Sequence, residues 1–389
     1  MDFNKEIERR NTGSVKWDML EEMFGDKNVL PMWVADMDFD NAPEIKQAVK
    51  RIIDTEILGY TFPQTSLYHS IIEWQKERHH MDVSKEDILF SPGVLSSIAV
   101  IIQALTKEGD GVLIHDPVYT PFSIVVENNN RRVYRSELTI EDNLYKMDFK
   151  DIEDQMRKHS ISLFLLSNPH NPGGRVWSRE ELQRLTELCQ RYGVILISDE
   201  IHSDLVYTDY TCVSPVTLDQ SFKDVVITLH SATKTFNIAG VKASFMVIYN
   251  EELRSKVVHI QEQTDLSSVN SFGLAATEAA FSHSRDWHEA LMNQLKKNRQ
   301  TVLDFFRTAL PEVPFMVPQA TYLFWFDASS LDIEETKLKE TFADVGKVAL
   351  NDGISYGLAG GSFMRLNFAV PEPMLEEGLN RIKHVFDTL

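Results

Sequence analysis

The sequence predicts an α/β fold: a mostly parallel sheet covered by helices on both faces, followed by a smaller α+β domain. Three observations predict it. Short apolar runs recur through the middle of the chain without polar alternation, as strands buried on both faces require. Segments of helical periodicity separate those runs. Beyond about residue 285 the order changes to helix, strand, helix, strand, helix.

Residues 112–115 read as the first buried strand, ended by Asp116-Pro117, and residues 161–166 as the second. Residues 194–198 form a third, 224–229 contain a fourth, and the β-branched and aromatic run 241–249 is a fifth. Between the second and third lies Ser178-Arg179-Glu180-Glu181, a capping-box pattern. It opens a helix with Leu182, Leu185, Leu188 and Tyr192 on one face and Gly193 as its stop. After the break near 285, a long helix at 286–310 leads to a strand at 322–326 and a helix at 334–344. A strand at 363–368 and a last helix at 372–386 follow.

Composition excludes several classes. The 389 residues carry 39 Lys and Arg against 58 Asp and Glu, a net charge of −19, which argues against binding a phosphate backbone. With 43% hydrophobic and 10% aromatic residues the chain has material for a large core and is not disordered. The most apolar stretch, 94–105, is interrupted by Ser96, Ser97 and Gln103. It falls short of the roughly 20 residues that span a bilayer. Only Cys189 and Cys212 are present, with no CxxC pair, and the first ten residues are too charged for a signal peptide. The expectation is a cytoplasmic protein that binds neither membrane nor nucleic acid.

Chemistry is sought just past the strands, because ligands of parallel sheets bind beyond the carboxyl ends. Asn168-Pro169-His170-Asn171-Pro172-Gly173-Gly174 follows the second strand and specifies a rigid turn. Asp199-Glu200-Ile201-His202 follows the third. Adjacent carboxylates there need a cationic or hydrogen-bonding partner, or else mark a helix start. Ser231-Ala232-Thr233-Lys234-Thr235-Phe236-Asn237 follows the fourth and sets one lysine among apolar neighbours, where an amine loses its charge and becomes a nucleophile. Ser91-Pro92-Gly93 feeds the apolar helix 95–105, whose first N–H groups suit an anion. His79-His80 reads as a solvated pair. GxGxxG, the phosphate loop GxxxxGK[ST], GxSxG, HExxH and zinc-ligand spacings are absent, so no metal is expected. A phosphate site, a reactive lysine, an acid and an asparagine together match what pyridoxal 5'-phosphate requires of a protein.

The intervals of 28 residues from Asn171 to Asp199 and 35 from Asp199 to Lys234 resemble the class I/II aminotransferases of pyridoxal-phosphate fold type I. The likeness runs over essentially the whole chain. Within that superfamily it is most similar to the cystathionine β-lyase, or cysteine-S-conjugate β-lyase, branch. The segments that carry this finer resemblance are Ser14-Val15-Lys16-Trp17-Asp18, the run from Pro31 to Phe39, Asn168 to Gly173, Asp199 to His202, and Lys234 to Gly240.

The resemblance implies a large domain at 46–285 with a seven-stranded type of sheet and a small domain at 286–389. An N-terminal segment, 1–45, would pack on the small domain and the active site. Lys234 would bind the cofactor as a Schiff base and move protons. Asp199 would pair with the pyridinium nitrogen, and Asn171, with His202 close by, would bond the ring hydroxyl oxygen. Tyr119 would stack on the ring. The backbone of Gly93, Val94 and Leu95, the Ser231 hydroxyl and Lys242 would hold the phosphate. Tyr60 would reach the neighbouring subunit's phosphate, implying a homodimer with shared catalytic sites. Arg365 would fork the substrate α-carboxylate, with Asp36, Tyr119 and Asn171 also on the substrate side. The implied reaction is α,β-elimination from L-cystathionine or cysteine S-conjugates. The alternatives are an aminotransferase of aromatic or sulfur amino acids, or a regulatory protein that keeps the cofactor fold.

Overall fold

In the computed structural model, which describes all 389 residues, eight strands form the principal sheet. They are Ile88–Ser91, Gly111–Asp116, Arg132–Glu141, Leu144–Met147, Ile161–Ser167, Ile195–Asp199, Val226–His230 and Ser244–Val247. Named by first residue, their spatial order is 88, 244, 226, 195, 161, 111, 132, 144. The five strands from 226 to 132 are mutually parallel. The remaining three pair antiparallel at the two margins.

The sheet is buried on both faces, which is why its strands lack polar alternation. Val112, Ile114, Leu163 and Leu165 pack with Ile98, Ile101 and Ile102 of the helix Val94–Leu105 on one face. Their neighbours Leu113, Phe164 and Leu166 enter the other, larger core with Leu182, Leu185 and Leu188. That second helix, Arg179–Tyr192, has the expected capping box between Ser178 and Glu181 and ends on Gly193 at φ 68°.

Four details depart from the sequence reading. The eighth strand, Leu144–Met147, forms a hairpin with Arg132–Glu141 through Asp142 and Asn143, both at positive φ. The 241–249 run yields only Ser244–Val247, because Ala239–Val241 is a 3₁₀ turn and Lys242 sits at φ 48°. Residues 335–337 are likewise a 3₁₀ turn, so the following helix starts at Leu338. His79 is not solvated: it is buried and bonds Asp204 at 2.9 Å, while His80 is exposed at the helix end.

A second sheet of four antiparallel strands, in the order Phe315–Met316, Leu323–Asp327, Phe363–Asn367 and Asn351–Asp352, packs with the helices Arg285–Ala309 and Glu372–Thr388. Near the N-terminus, Leu30–Pro31 pairs in parallel with Val348–Ala349. No helix is long and apolar enough to cross a membrane.

The topology sets the location of the site. The chain moves one way across the sheet after the 111 strand and the other way after the 161 strand. At such a reversal the loops leaving the carboxyl ends separate and open a crevice. Asp116, Ser167, Asp199 and His230 are the last residues of four neighbouring parallel strands.

Candidate active site

Above those strand ends lies a cavity of about 520 Å³. Lys234, on the one-turn helix Ala232–Thr235, opens into it. Local chemistry fixes this turn. Ser231 caps it by accepting the Thr233 N–H at 3.0 Å, and Phe236 packs between Trp74 and Trp287. Asn237, at φ 56°, clamps the backbone of Met37 and Phe39 with three hydrogen bonds. The Lys234 Nζ donates to the Ala35 carbonyl at 2.6 Å, which also accepts from the Tyr322 hydroxyl at 2.9 Å. Burial, reinforced by the Arg365 charge, pushes the amine down to about 8. A fraction of it is therefore neutral near pH 7, as a nucleophile or base requires.

Asp199 and Glu200 resolve the question of the adjacent carboxylates. Glu200 accepts hydrogen bonds from Ser198 and Ser214 at 2.8 and 2.7 Å. Asp199 faces the cavity with one donor, the Ile201 N–H at 3.1 Å, and no cation within salt-bridge distance. Residues 201–204 form a turn, so no helix dipole compensates either acid. Burial raises Asp199 to about 7. Such a carboxylate needs a positively charged N–H partner, and the pyridinium of pyridoxal phosphate is one.

The shift has a consequence for stability. Unfolded, this carboxyl releases its proton near 3.8; folded, near 7. Between these values the fold retains a proton that the unfolded chain has lost, so Asp199 subtracts stability as pH rises through that window. Cofactor-free Asp199→Asn is expected to gain in melting temperature over the parent between about pH 5 and pH 8. An equal gap at both pH values contradicts the shift.

Asn171 sits in the turn after the 161 strand, held through its N–H to the Ser167 hydroxyl at 3.1 Å. His170 bridges this turn to the loop after the 111 strand by bonding the Pro117 carbonyl at 2.9 Å. That second loop delivers Tyr119 to the cavity. His202 also lines it, with its Nδ1 buried and unpartnered, and burial lowers the imidazole to about 3. It is a neutral group available for hydrogen bonding.

Anion-binding groups occupy two parts of the lining. In one, Gly93, Val94, Leu95 and Ser96 form the start of the helix Val94–Leu105, which has no side-chain cap. Gly93 at φ 144° makes the entry, a conformation suited only to glycine. Ser231 and Lys242 line this part too. The Ser231 hydroxyl, expected to face a phosphate, donates to the Ala243 carbonyl at 2.6 Å and lies 2.7 Å from the Thr233 hydroxyl. Its neighbour Thr233 also reaches the lining.

In the other part is Arg365, buried without a carboxylate. It donates to Asn171 Oδ1 at 3.0 Å and to the Trp33 carbonyl and Asn351 Oδ1 at 2.8 Å each, and its Nε has no partner. A buried guanidinium bonded only to neutral acceptors is poised for an anion.

One expected contact is placed differently. Asp36 does not line the cavity: its carboxylate is taken by Arg9 at 2.6 Å, with Lys16 at 3.7 Å. Tyr60 lies outside its own chain's cavity, fully exposed. Trp33 and Tyr119 line the cavity, whereas Met37 and Tyr322 belong to the core.

The strap 33–38 owes its position to ionic contacts from behind. Lys16, fully buried, bonds Asp38 at 2.6 Å; Arg9 bonds Asp38 at 2.6 Å, and the Trp17 indole adds a bond at 2.8 Å. Asp38→Ala would leave the Lys16 ammonium buried without its closest partner. The expected loss is about 3–5 kcal/mol, read as a lower urea midpoint; an unchanged midpoint contradicts the pairing.

Comparison with known proteins places this geometry. Residues 27–382 match the family model of aminotransferase class I and II. Cystathionine β-lyase PatB of Bacillus subtilis (strain 168) is 41% identical over 383 residues, covering 98% of this chain and 99% of the relative. The protein belongs to this family, in its cystathionine β-lyase branch. Two solved structures of the family are close in shape. Cystalysin from Treponema denticola, which contains a pyridoxal 5'-phosphate cofactor, superposes with a TM-score of 0.96 at 32% identity. The alignment covers 99% of this chain and 98% of that one. The pyridoxal-phosphate-bound C-S lyase from Staphylococcus hominis gives 0.93 at 30% identity, with the same coverage.

Sequence reasoning missed Asn351 and Tyr356, which flank Arg365, the latter with its ring 5.1 Å from the guanidinium. They lie in the glycine-rich stretch 351–361, indistinguishable by pattern from an ordinary turn. The carbonyls of Trp33 and Ala35 carry no residue-type signal at all.

Proposed function

We propose that the protein is a pyridoxal-phosphate-dependent carbon–sulfur β-lyase that releases a thiol, pyruvate and ammonia from cysteine-derived thioethers. The observation that carries this reading is the buried, cation-free Asp199 facing the same cavity as Lys234 and Arg365, in a chain 41% identical to a cystathionine β-lyase. The residues present fit the cofactor. Lys234 would bind its aldehyde carbon and Asp199 its ring nitrogen, with Asn171 and His202 at the ring oxygen and Tyr119 against the ring. The N–H groups of Gly93, Val94 and Leu95, with Ser231 and Lys242, would hold the phosphate.

When bound, pyridoxal phosphate supplies an electron sink that acidifies the substrate Cα–H and lets a β-thiolate depart. The chain does the rest. Arg365 binds the α-carboxylate through two N–H groups and fixes the orientation of Cα. The Lys234 Nζ, beside the Ala35 carbonyl, would accept the Cα proton and give it up to the departing thiolate, which leaves as the thiol. The neutral His202 and Asn171 would hydrogen-bond the ring oxygen of the bound cofactor. Hydrolysis of the released unsaturated amine consumes one water and gives pyruvate and ammonia.

The reading includes a homodimer. Ile53, Ile57, Leu58 and Phe62 surround Tyr60 on an exposed apolar segment, with Ile57 93% exposed, which suits a second copy of this chain. It also takes 1–45 as a segment packing with the small domain and the active site, 46–285 as the cofactor-binding domain and 286–389 as the small domain.

The test uses purified protein, pyridoxal phosphate and an S-alkyl-L-cysteine or L-cystathionine without any 2-oxo acid. Pyruvate and thiol in equal amounts are expected. Turnover only after adding a 2-oxo acid would instead make the protein an aminotransferase.

A further inference from the structure

The strap 33–38 meets both groups that the proposed function puts to work. Its Ala35 carbonyl accepts the Lys234 Nζ at 2.6 Å, and its Trp33 carbonyl accepts from the Arg365 Nη2 at 2.8 Å. Neutral donors hold other parts of its backbone. Asn367 donates to the Val34 and Asp36 carbonyls at 2.6 Å each, and the Tyr322 hydroxyl donates to Ala35 at 2.9 Å. The strap's two carboxylates are held by cations instead, and Arg9 makes most of these contacts. It donates to both Asp36 carboxylate oxygens at 3.2 and 2.6 Å, to Asp38 at 2.6 Å and to the Met37 carbonyl at 3.2 Å. Buried Lys16 bonds Asp38 at 2.6 Å and lies 3.7 Å from Asp36. Two cations thus balance two carboxylates, and Arg9 is no part of the cavity lining.

From these contacts we infer that Arg9, in the N-terminal segment, is a positioning residue for Lys234: it pins the strap that receives the amine and cancels the negative charge that the strap carries. The neutral hydrogen bonds keep the backbone in place without Arg9, so its charge is the part they do not supply. Without Arg9 one carboxylate charge is left over beside Ala35, since Lys16 is already paired with Asp38. An uncompensated anion favours the protonated amine. Lys234 is open to that influence: burial and Arg365 lower it, Asp36 and Asp199 raise it, and the neutral His202 also faces it. Asp36 in turn faces Arg9, Lys16 and the Tyr322 hydroxyl. With Arg9 in place the Asp36 charge is offset, and a larger fraction of the amine is neutral at neutral pH. The inference rests on the reading of Lys234 as the cofactor lysine and adds a residue outside the cavity that sets its protonation.

The pH midpoint at which cofactor-free protein captures pyridoxal phosphate tests it, because only the neutral amine reacts. Arg9→Gln is expected to move that midpoint up by about half a pH unit, with roughly threefold slower capture at pH 7. Arg9→Lys should bring it back close to the parent value, since the charge returns although the planar fork does not. Combining Arg9→Gln with Asp36→Asn should do the same, because the leftover charge is gone. An unmoved midpoint in Arg9→Gln overturns the inference even where the melting temperature falls, for Arg9 is then structural only. Should Arg9→Gln fail to fold, Asp36→Asn alone decides. It leaves a surplus cation and is expected to lower the midpoint; no movement overturns the inference. Mass mapping of the captured cofactor distinguishes the two failures. Capture by the parent protein at a lysine other than 234 contradicts the lyase reading and this inference with it, whereas an immobile midpoint with capture at Lys234 contradicts the inference alone.

Discussion

Lys234→Ala is expected to lower pyruvate formation from a cysteine thioether by about 10³-fold or more, because it removes both the cofactor-binding amine and the proton acceptor. The visible absorption of lysine-bound cofactor should vanish with it. The fold should survive. The turn that carries Lys234 is held by Ser231, Phe236 and Asn237 rather than by the amine. Wild-type rates in this variant, with an unchanged spectrum, would show that another lysine does the chemistry. Lys242 is the only other lysine on the cavity lining.

Arg365→Ala is expected to cut kcat/KM by about 10²–10⁴-fold, since two charge-assisted hydrogen bonds to the substrate carboxylate are lost together. Most of that loss should fall on KM, because the carboxylate is bound equally before and during proton removal. Arg365→Lys should recover part of it: the charge returns, the planar fork does not. The variant also releases Asn171, Asn351 and the Trp33 carbonyl, so melting temperature must be measured beside the kinetics. An unchanged KM for S-ethyl-L-cysteine would contradict the carboxylate role.

Much of the fold and of the site is legible in the sequence. The unbroken apolar runs at 161–166 and 194–198 mark strands buried on both sides, and polar residues at their ends mark the crevice. Asn171, Asp199 and Lys234 were accessible in that way. Arg365 was indicated by the family resemblance, within the expected strand 363–368. The hairpin strand 144–147 was not, because its partner Arg132–Glu141 has an exposed, charged outer half that lacks the buried-strand pattern. His79 was misread for a related reason: its partner Asp204 is 125 residues away, and no local pattern records such a pair. Asp36 shows the limit of resemblance. It sits in the right segment, yet Arg9 occupies its carboxylate. The backbone carbonyls that receive Lys234 and Arg365 depend wholly on how the N-terminal strap is tied down.

The central claim is that the amine of residue 234 carries the cofactor. Borohydride reduction of the cofactor-loaded protein, followed by proteolysis and mass mapping, tests it most directly. The account predicts a single pyridoxyl-phosphate mass addition on the peptide containing Lys234. A modification confined to any other lysine, or none at all, would contradict it.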